Sequence, residues 1–196
     1  ASANLTLSGA NTYTGLSTVT NGTLKVGATN AINSGNALTT AAAGIFDLNG
    51  FDQTLGTLIN GGNVTNSGVT TKTFTFGSAS ASSGAGSYTG AMNIILNNGA
   101  ANTAFTGSWS NSGNITLNAN ANNTITLSTG TVNNTGSITN SGSNTGATTI
   151  SASIGSNVGL ITQNSAGSSL TLSGTNTNAN GVTLTAGTLK LGSTTA

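Results

Sequence analysis

The stretch LTLSGANTYTGLSTVTNGTLKVG, Leu5 to Gly27, returns as LTLSGTNTNANGVTLTAGTLKLG, Leu170 to Gly192, 165 residues further along the chain. Aligning residues 5–29 with 170–194 gives 15 identities in 25 positions, and apolar residues exchange for one another, as Val26 does for Leu191. Internal repetition constrains a fold more than local propensity does, because a repeated phrase implies a repeated environment. In a solenoid each coil lies against the coil beneath it, so the same residue types suit the same positions again.

Short segments between the two copies alternate apolar and polar residues with a period of two: Ile45 to Leu48, Thr73 to Phe76, Asn93 to Leu96, Ile115 to Leu117 and Thr124 to Leu127. The copies add Leu5 to Leu7, Thr18 to Thr20, Leu24 to Val26, Leu170 to Leu172, Val182 to Leu184 and Leu189 to Leu191. That period predicts strands with one buried face, and no segment carries the 3.6-residue stripe of a helix. Clusters of Asn, Ser and Gly separate them, including NSG at 33–35, 66–68, 111–113 and 140–142. Asn and Gly tolerate the left-handed backbone of a sharp corner, so these are expected corners. Strand spacing alone fits a sandwich, a barrel or a solenoid. The repetition selects the solenoid.

Charge is nearly absent. Lys25, Asp47, Asp52, Lys72 and Lys190 are the only charged residues of 196, and there is no Arg, Glu, His, Cys or Pro. A net charge of +1 offers no row of cations for phosphates, which excludes nucleic-acid binding. It also offers no basic patch for a membrane surface, and the longest apolar runs, such as Ile94 to Leu96, fall far short of a spanning helix. The opening ASANLTLSG lacks a basic start and apolar stretch, so a leader is either removed or the chain is an internal piece. Leu, Ile, Val and Phe number 40 of 196, a fraction at which disorder competes with folding. Disordered chains of this apolar content usually carry high net charge, whereas here the charge is small and the apolar residues are regularly placed. Alternation sends Lys25, Asp47 and Lys190 outward, each between two apolar residues.

The run from Leu5 to Gly27, followed by GIFDLNGFDQTLGTL at 44–58 and GNVTNSG at 62–68, resembles the autotransporter-associated β-strand repeat of large bacterial type V surface proteins. The resemblance covers about the first 110 residues and the last 27, while residues 111–169 match in style only, and the second copy lacks the aromatic of NTYTG. It implies an all-β, right-handed parallel β-helix, exported and displayed on the bacterial cell surface. At a typical ~20 residues per turn the chain would make roughly ten coils. The first strand starts at Leu5 and the last ends at Leu191 without a helical or charged cap, so both ends are expected to be uncapped. That suggests one solenoid segment over 1–196, a slice of a longer rod or a stacking subunit.

Candidate sites are few. Asp47 and Asp52 are the only carboxylates, with no His, Glu or Arg beside them, so paired-acid chemistry is not expected and a corner-bonding or solvated role is. No metal or cofactor site is expected, and no enzyme activity. Thr-x-Thr units at 18–20, 73–75, 124–126 and 183–185 raise an ice-binding reading, but their separations do not match one coil each. The aromatics Tyr13, Tyr88, Phe105 and Trp109 could stack on a sugar. Tyr13, Tyr88 and Phe105 share an aromatic-Thr-Gly triplet, which favours packing at a common corner, and Trp109 is the least constrained. Tyr13, Tyr88 and Trp109 are therefore the candidate ligand or partner contacts. The expected role is a structural rod or filament with adhesive or self-associating faces. Its partners would be other copies of itself, and also a host or matrix surface or carbohydrate. The alternative is an ice- or polysaccharide-binding solenoid, with a polysaccharide-active enzyme a distant third.

Overall fold

The computed structural model describes residues 3–192, and every strand pairing within them is parallel. Partners stand 18 to 24 residues apart in sequence, as Phe46 with Val64 and Val64 with Tyr88. The chain is a β-solenoid of about 9 turns, each of about 21 residues. The expected count of ten falls to nine because the coils are longer than 20 residues. At about 4.8 Å per rung the stack rises on the order of 40 Å.

Each coil contributes to three faces in turn. On the first face the inward column runs Leu5, Leu24, Phe46, Val64, Tyr88, Trp109, Val132, Ile154 and Asn176. On the second it runs Gln53, Phe74, Ile94, Ile115, Ile138, Ile161 and Val182. On the third it includes Phe105, Leu127, Ile150, Leu172 and Leu191. Ile94, Ile115, Ile138 and Ile161 are wholly buried, one above another. Burying each is worth roughly 1.5–3 kcal/mol, and β-branched side chains fit a pleated surface well.

The middle of the interior is aromatic. Tyr88 stacks on Trp109 with centroids 4.1 Å apart, and Phe105 meets both edge-on at 6.0 and 5.6 Å. Phe76 links them to Phe74 and through it to Phe46. Toward the last coils the interior turns polar: Asn140, Thr148 and Gln163 bond one another or nearby backbone, whereas the Asn176 side chain is buried without a partner. Asn140 donates to Gln163 Oε1 (2.6 Å) and accepts from the Thr148 hydroxyl (2.9 Å), while Gln163 donates to the carbonyls of Ser165 and Ser168.

The repeated phrase occupies two different faces. Leu5 to Leu7 lie on the first face beneath Leu24 to Val26, whereas Leu170 to Leu172 lie on the third beneath Leu189 to Leu191. The 165-residue separation therefore spans seven complete coils and two of the three faces of the next. The local conformation is kept: Gly22 has φ +84° and Gly187 φ +78°. A Cβ at either would run into the carbonyl oxygen of Ala3 or of Ser165 in the rung below, so glycine is required twice over. The final two aligned positions, 193 and 194, lie outside the described residues.

The NSG triplets do not take the expected left-handed backbone, which falls instead at other positions, and Asn140 of the last triplet is an inward strand residue. Asn66 and Asn111 follow first-face strand positions, and their side-chain amides donate to the carbonyls of Ala91 (2.6 Å) and Met92 (2.8 Å). Asn30 and Asn49, outside the triplets, take φ of 52° and 48°, the left-handed conformation of a corner.

Candidate functional site

The two carboxylates serve separate turns. Asp47 is only 2% exposed. Alternation places it on the outer side beside Lys25, yet the next coil covers it, which corrects the expectation of an outward, open side chain. Its Oδ1 accepts the amides of Asn49 (2.8 Å) and Ser67 (2.9 Å), its Oδ2 accepts the Ser67 hydroxyl (2.7 Å), and Lys25 Nζ stands 3.4 Å away. Burial pushes the carboxyl up, but the Ser67 and Asn49 hydrogen bonds and the Lys25 charge outweigh it and hold the group below the ordinary aspartate value. Asp52 accepts the Thr73 amide at 2.7 Å. Both are corner acceptors, as expected, each taking backbone amides at a turn. Among the described residues no three potential metal-ligating side chains cluster, and no helix is long and apolar enough to cross a membrane.

Of the aromatic candidates, Tyr88 and Trp109 are completely buried in the first-face column. Neither presents a surface to a ligand, which corrects their assignment as contacts. Trp109 looked free because it sits among Ser, Asn and Gly, but the register of the first face turns it inward over Tyr88. Burial drives the Tyr88 hydroxyl far above its ordinary ionisation range, opposed weakly by the nearby Asn60 side chain. That approach falls short of hydrogen-bond geometry, so the Tyr88 hydroxyl and Trp109 Nε1 are buried without partners. The shared triplet is not a shared slot either: Tyr88 belongs to the first face and Phe105 to the third, with Ala104 of the same strand paired to Thr126. Tyr13 is 39% exposed, and its hydroxyl lies 2.6 Å from Ser17 Oγ.

The outer side of the second face carries a different array, which the Thr-x-Thr count missed. Thr54, Thr75, Ile95, Thr116, Thr139, Thr162 and Thr183 stand in one column, each paired to the next. Ile95 is its only interruption, and the last four threonines are consecutive. The Thr-x-Thr units lie on two faces, Thr73–Thr75 and Thr183–Thr185 on the second, Thr18–Thr20 and Thr124–Thr126 on the third. Their mutual separations therefore concealed a column built from single threonines. Ladders flank it: Asn118 donates to Asn97 (2.8 Å) and accepts from Ser141 (2.7 Å) on one side. On the other, Asn93 accepts the Asn114 amide (2.9 Å), and Asn114 accepts the Ser137 amide (2.9 Å) and hydroxyl (3.0 Å). These bonds hold the flanking Asn and Ser side chains at one rung spacing.

The two ends form the remaining candidate. Leu5 is 60% exposed at the first rung, and Leu184 and Leu191 are 52% and 60% exposed at the last. The residues paired with them one coil inward, Leu24, Gln163 and Leu172, are 7%, 0% and 0% exposed. A groove at the first rung is lined by Leu5, Leu7, Tyr13, Val19 and Leu24. Among the described residues the strand Asn4–Leu7 pairs only with Ser17–Val26, and Val182–Leu191 only with Ile161–Leu172. No protein-family model, no curated protein and no solved structure matches the chain.

Proposed function

We propose that the chain is a non-catalytic structural element, a rigid rod segment of a bacterial surface assembly that associates with other copies of itself. The supporting observation is the parallel stack of about 9 turns, which gives the chain the form of a rod. With a net charge of +1, little repulsion holds identical surfaces apart. The resemblance to the autotransporter-associated repeat supports an extracellular setting, where such a rod would meet other copies, a host or matrix surface, or carbohydrate. Small-angle scattering over a concentration series tests the association: rod-shaped scatterers should grow as the concentration rises. Compact monomers at all concentrations contradict it.

A second reading is favoured by the threonine column and its flanking ladders. A face of hydroxyls and methyls held at one rung spacing fits an ordered array of hydroxyls or water, as in a polysaccharide or ice surface. Thermal hysteresis and a carbohydrate array test it, with Thr139→Lys at the centre of the column as control. No hysteresis and no glycan signal end this reading.

A further inference from the structure

Four strand segments read Ile-Thr followed by one inward residue, and the stack has to tell them apart. Ile115-Thr116-Leu117, Ile138-Thr139-Asn140 and Ile161-Thr162-Gln163 stand over one another on the second face, while Ile125-Thr126-Leu127 lies on the third. All four share a buried isoleucine and an outward threonine. Isoleucine packing and the threonine ladder would therefore be met equally well in several stacking orders, because the alternation is the same in each. Charge cannot choose among them, since no charged residue lies between Lys72 and Lys190.

The third positions differ. Asn140 and Gln163 are the only amides among the four, and they stand on adjacent rungs, paired to one another and wholly buried. Asn140 Nδ2 donates to Gln163 Oε1 at 2.6 Å and to Ser168 Oγ at 3.1 Å, and its Oδ1 accepts the Thr148 hydroxyl at 2.9 Å. Gln163 Nε2 donates to the carbonyls of Ser165 (3.0 Å) and Ser168 (2.9 Å), in the bend that leads to the third face. Below Asn140 stands Leu117, whose side chain offers an amide nothing. An order that set the glutamine rung on Leu117, or the asparagine rung on Leu127, would keep the apolar contacts and leave an amide buried against a leucine. A buried amide deprived of its partner carries its full desolvation penalty, and a single buried asparagine fixes register in coiled coils for the same reason.

We propose that the Asn140–Gln163 pair is a register lock, which leaves one stacking order of the interchangeable Ile-Thr rungs in which both buried amides are bonded. The amides select the order, and the apolar columns supply most of the stability.

Two double variants of the whole chain test this: Asn140→Leu with Gln163→Leu, and the exchange Asn140→Gln with Gln163→Asn. Each is refolded from urea and read by methyl spectra of labelled isoleucine. The unaltered chain and the exchanged pair should give one set of cross-peaks, with Ile115 connected to Ile138 and Ile138 to Ile161. The double leucine variant should stay folded by circular dichroism yet give more than one set for these residues, with new contacts from Ile161 to Ile115 or from Ile138 to Ile125. A single set in the original order from the double leucine variant overturns the proposal. Failure of that variant to fold also overturns it, since the amides would then hold the coils together instead of sorting them. Several sets from the exchanged pair do the same, because two bonded amides would not have sufficed to select the order.

Discussion

Asp47 carries more than its share of a corner. Three hydrogen bonds from Ser67 and Asn49 join two coils at one carboxylate. Bonds to a charged, buried acceptor are worth roughly 1.5–3 kcal/mol each when a partner is deleted, whereas the Lys25 pair, a third exposed on the lysine side, adds at most about 1 kcal/mol. Asp47→Ala should therefore lower stability by several kcal/mol and Lys25→Ala by little, as read from urea midpoints. Because the folded carboxyl titrates below its unfolded value near pH 4, its contribution is complete above that pH and fades as pH falls through the lower folded value. Asp47→Asn should flatten the loss of stability below about pH 4, and an unaltered acid profile would contradict this. Trp109 gives the opposite contrast. Trp109→Phe removes a partnerless Nε1 and keeps the stack on Tyr88, so it should cost no more than about 1.5 kcal/mol. Trp109→Ala opens a cavity and should cost about 3–5 kcal/mol, and equal costs would show that the ring does not fill the interior.

Strands were legible from sequence where every inward position is apolar, as at Ile115 to Leu117 or Thr73 to Phe76. They were not where the interior accepts polar residues. Thr57–Asn60, Asn63–Asn66, Ile138–Asn140 and Thr148–Ile150 are strands that alternation alone did not mark. Their inward Asn60, Asn66 and Asn140 are bonded to neighbouring coils and Thr148 to Asn140 within its own coil, and a buried polar side chain with partners reads as surface in a sequence. The threonine column was hidden for a related reason: its members are single residues on one face, while the eye counts pairs along a strand. A charge in that column should disturb its neighbours on either side. Thr139→Asp beside Thr116→Asp should destabilise by more than the sum of the single changes, since like charges one rung apart repel. Additive melting shifts would mean that the two positions do not adjoin.

For the whole molecule, the repeated phrase pointed to stacked coils but not to its own placement. Three faces present the same local environment, a strand over a strand and then a glycine corner, so a phrase suited to one face suits another. That equivalence explains how the copies can sit on different faces with the same φ at Gly22 and Gly187. It also explains why the aromatic-Thr-Gly triplet misled: it closes a strand on the first face at Tyr88 and on the third at Phe105, while at Tyr13 it lies between strands. Chemistry-bearing residues are scarce in the composition, and the structure commits the two carboxylates to corners. The solenoid requires parallel strands in register, coil over coil. Nuclear Overhauser spectra of methyl-labelled isoleucine test this directly. The δ1 methyls of Ile94, Ile115, Ile138 and Ile161 should connect in that order, each to the next. Contacts that skip the order, or backbone Hα–Hα contacts between neighbouring strands running in opposite directions, would contradict the stack.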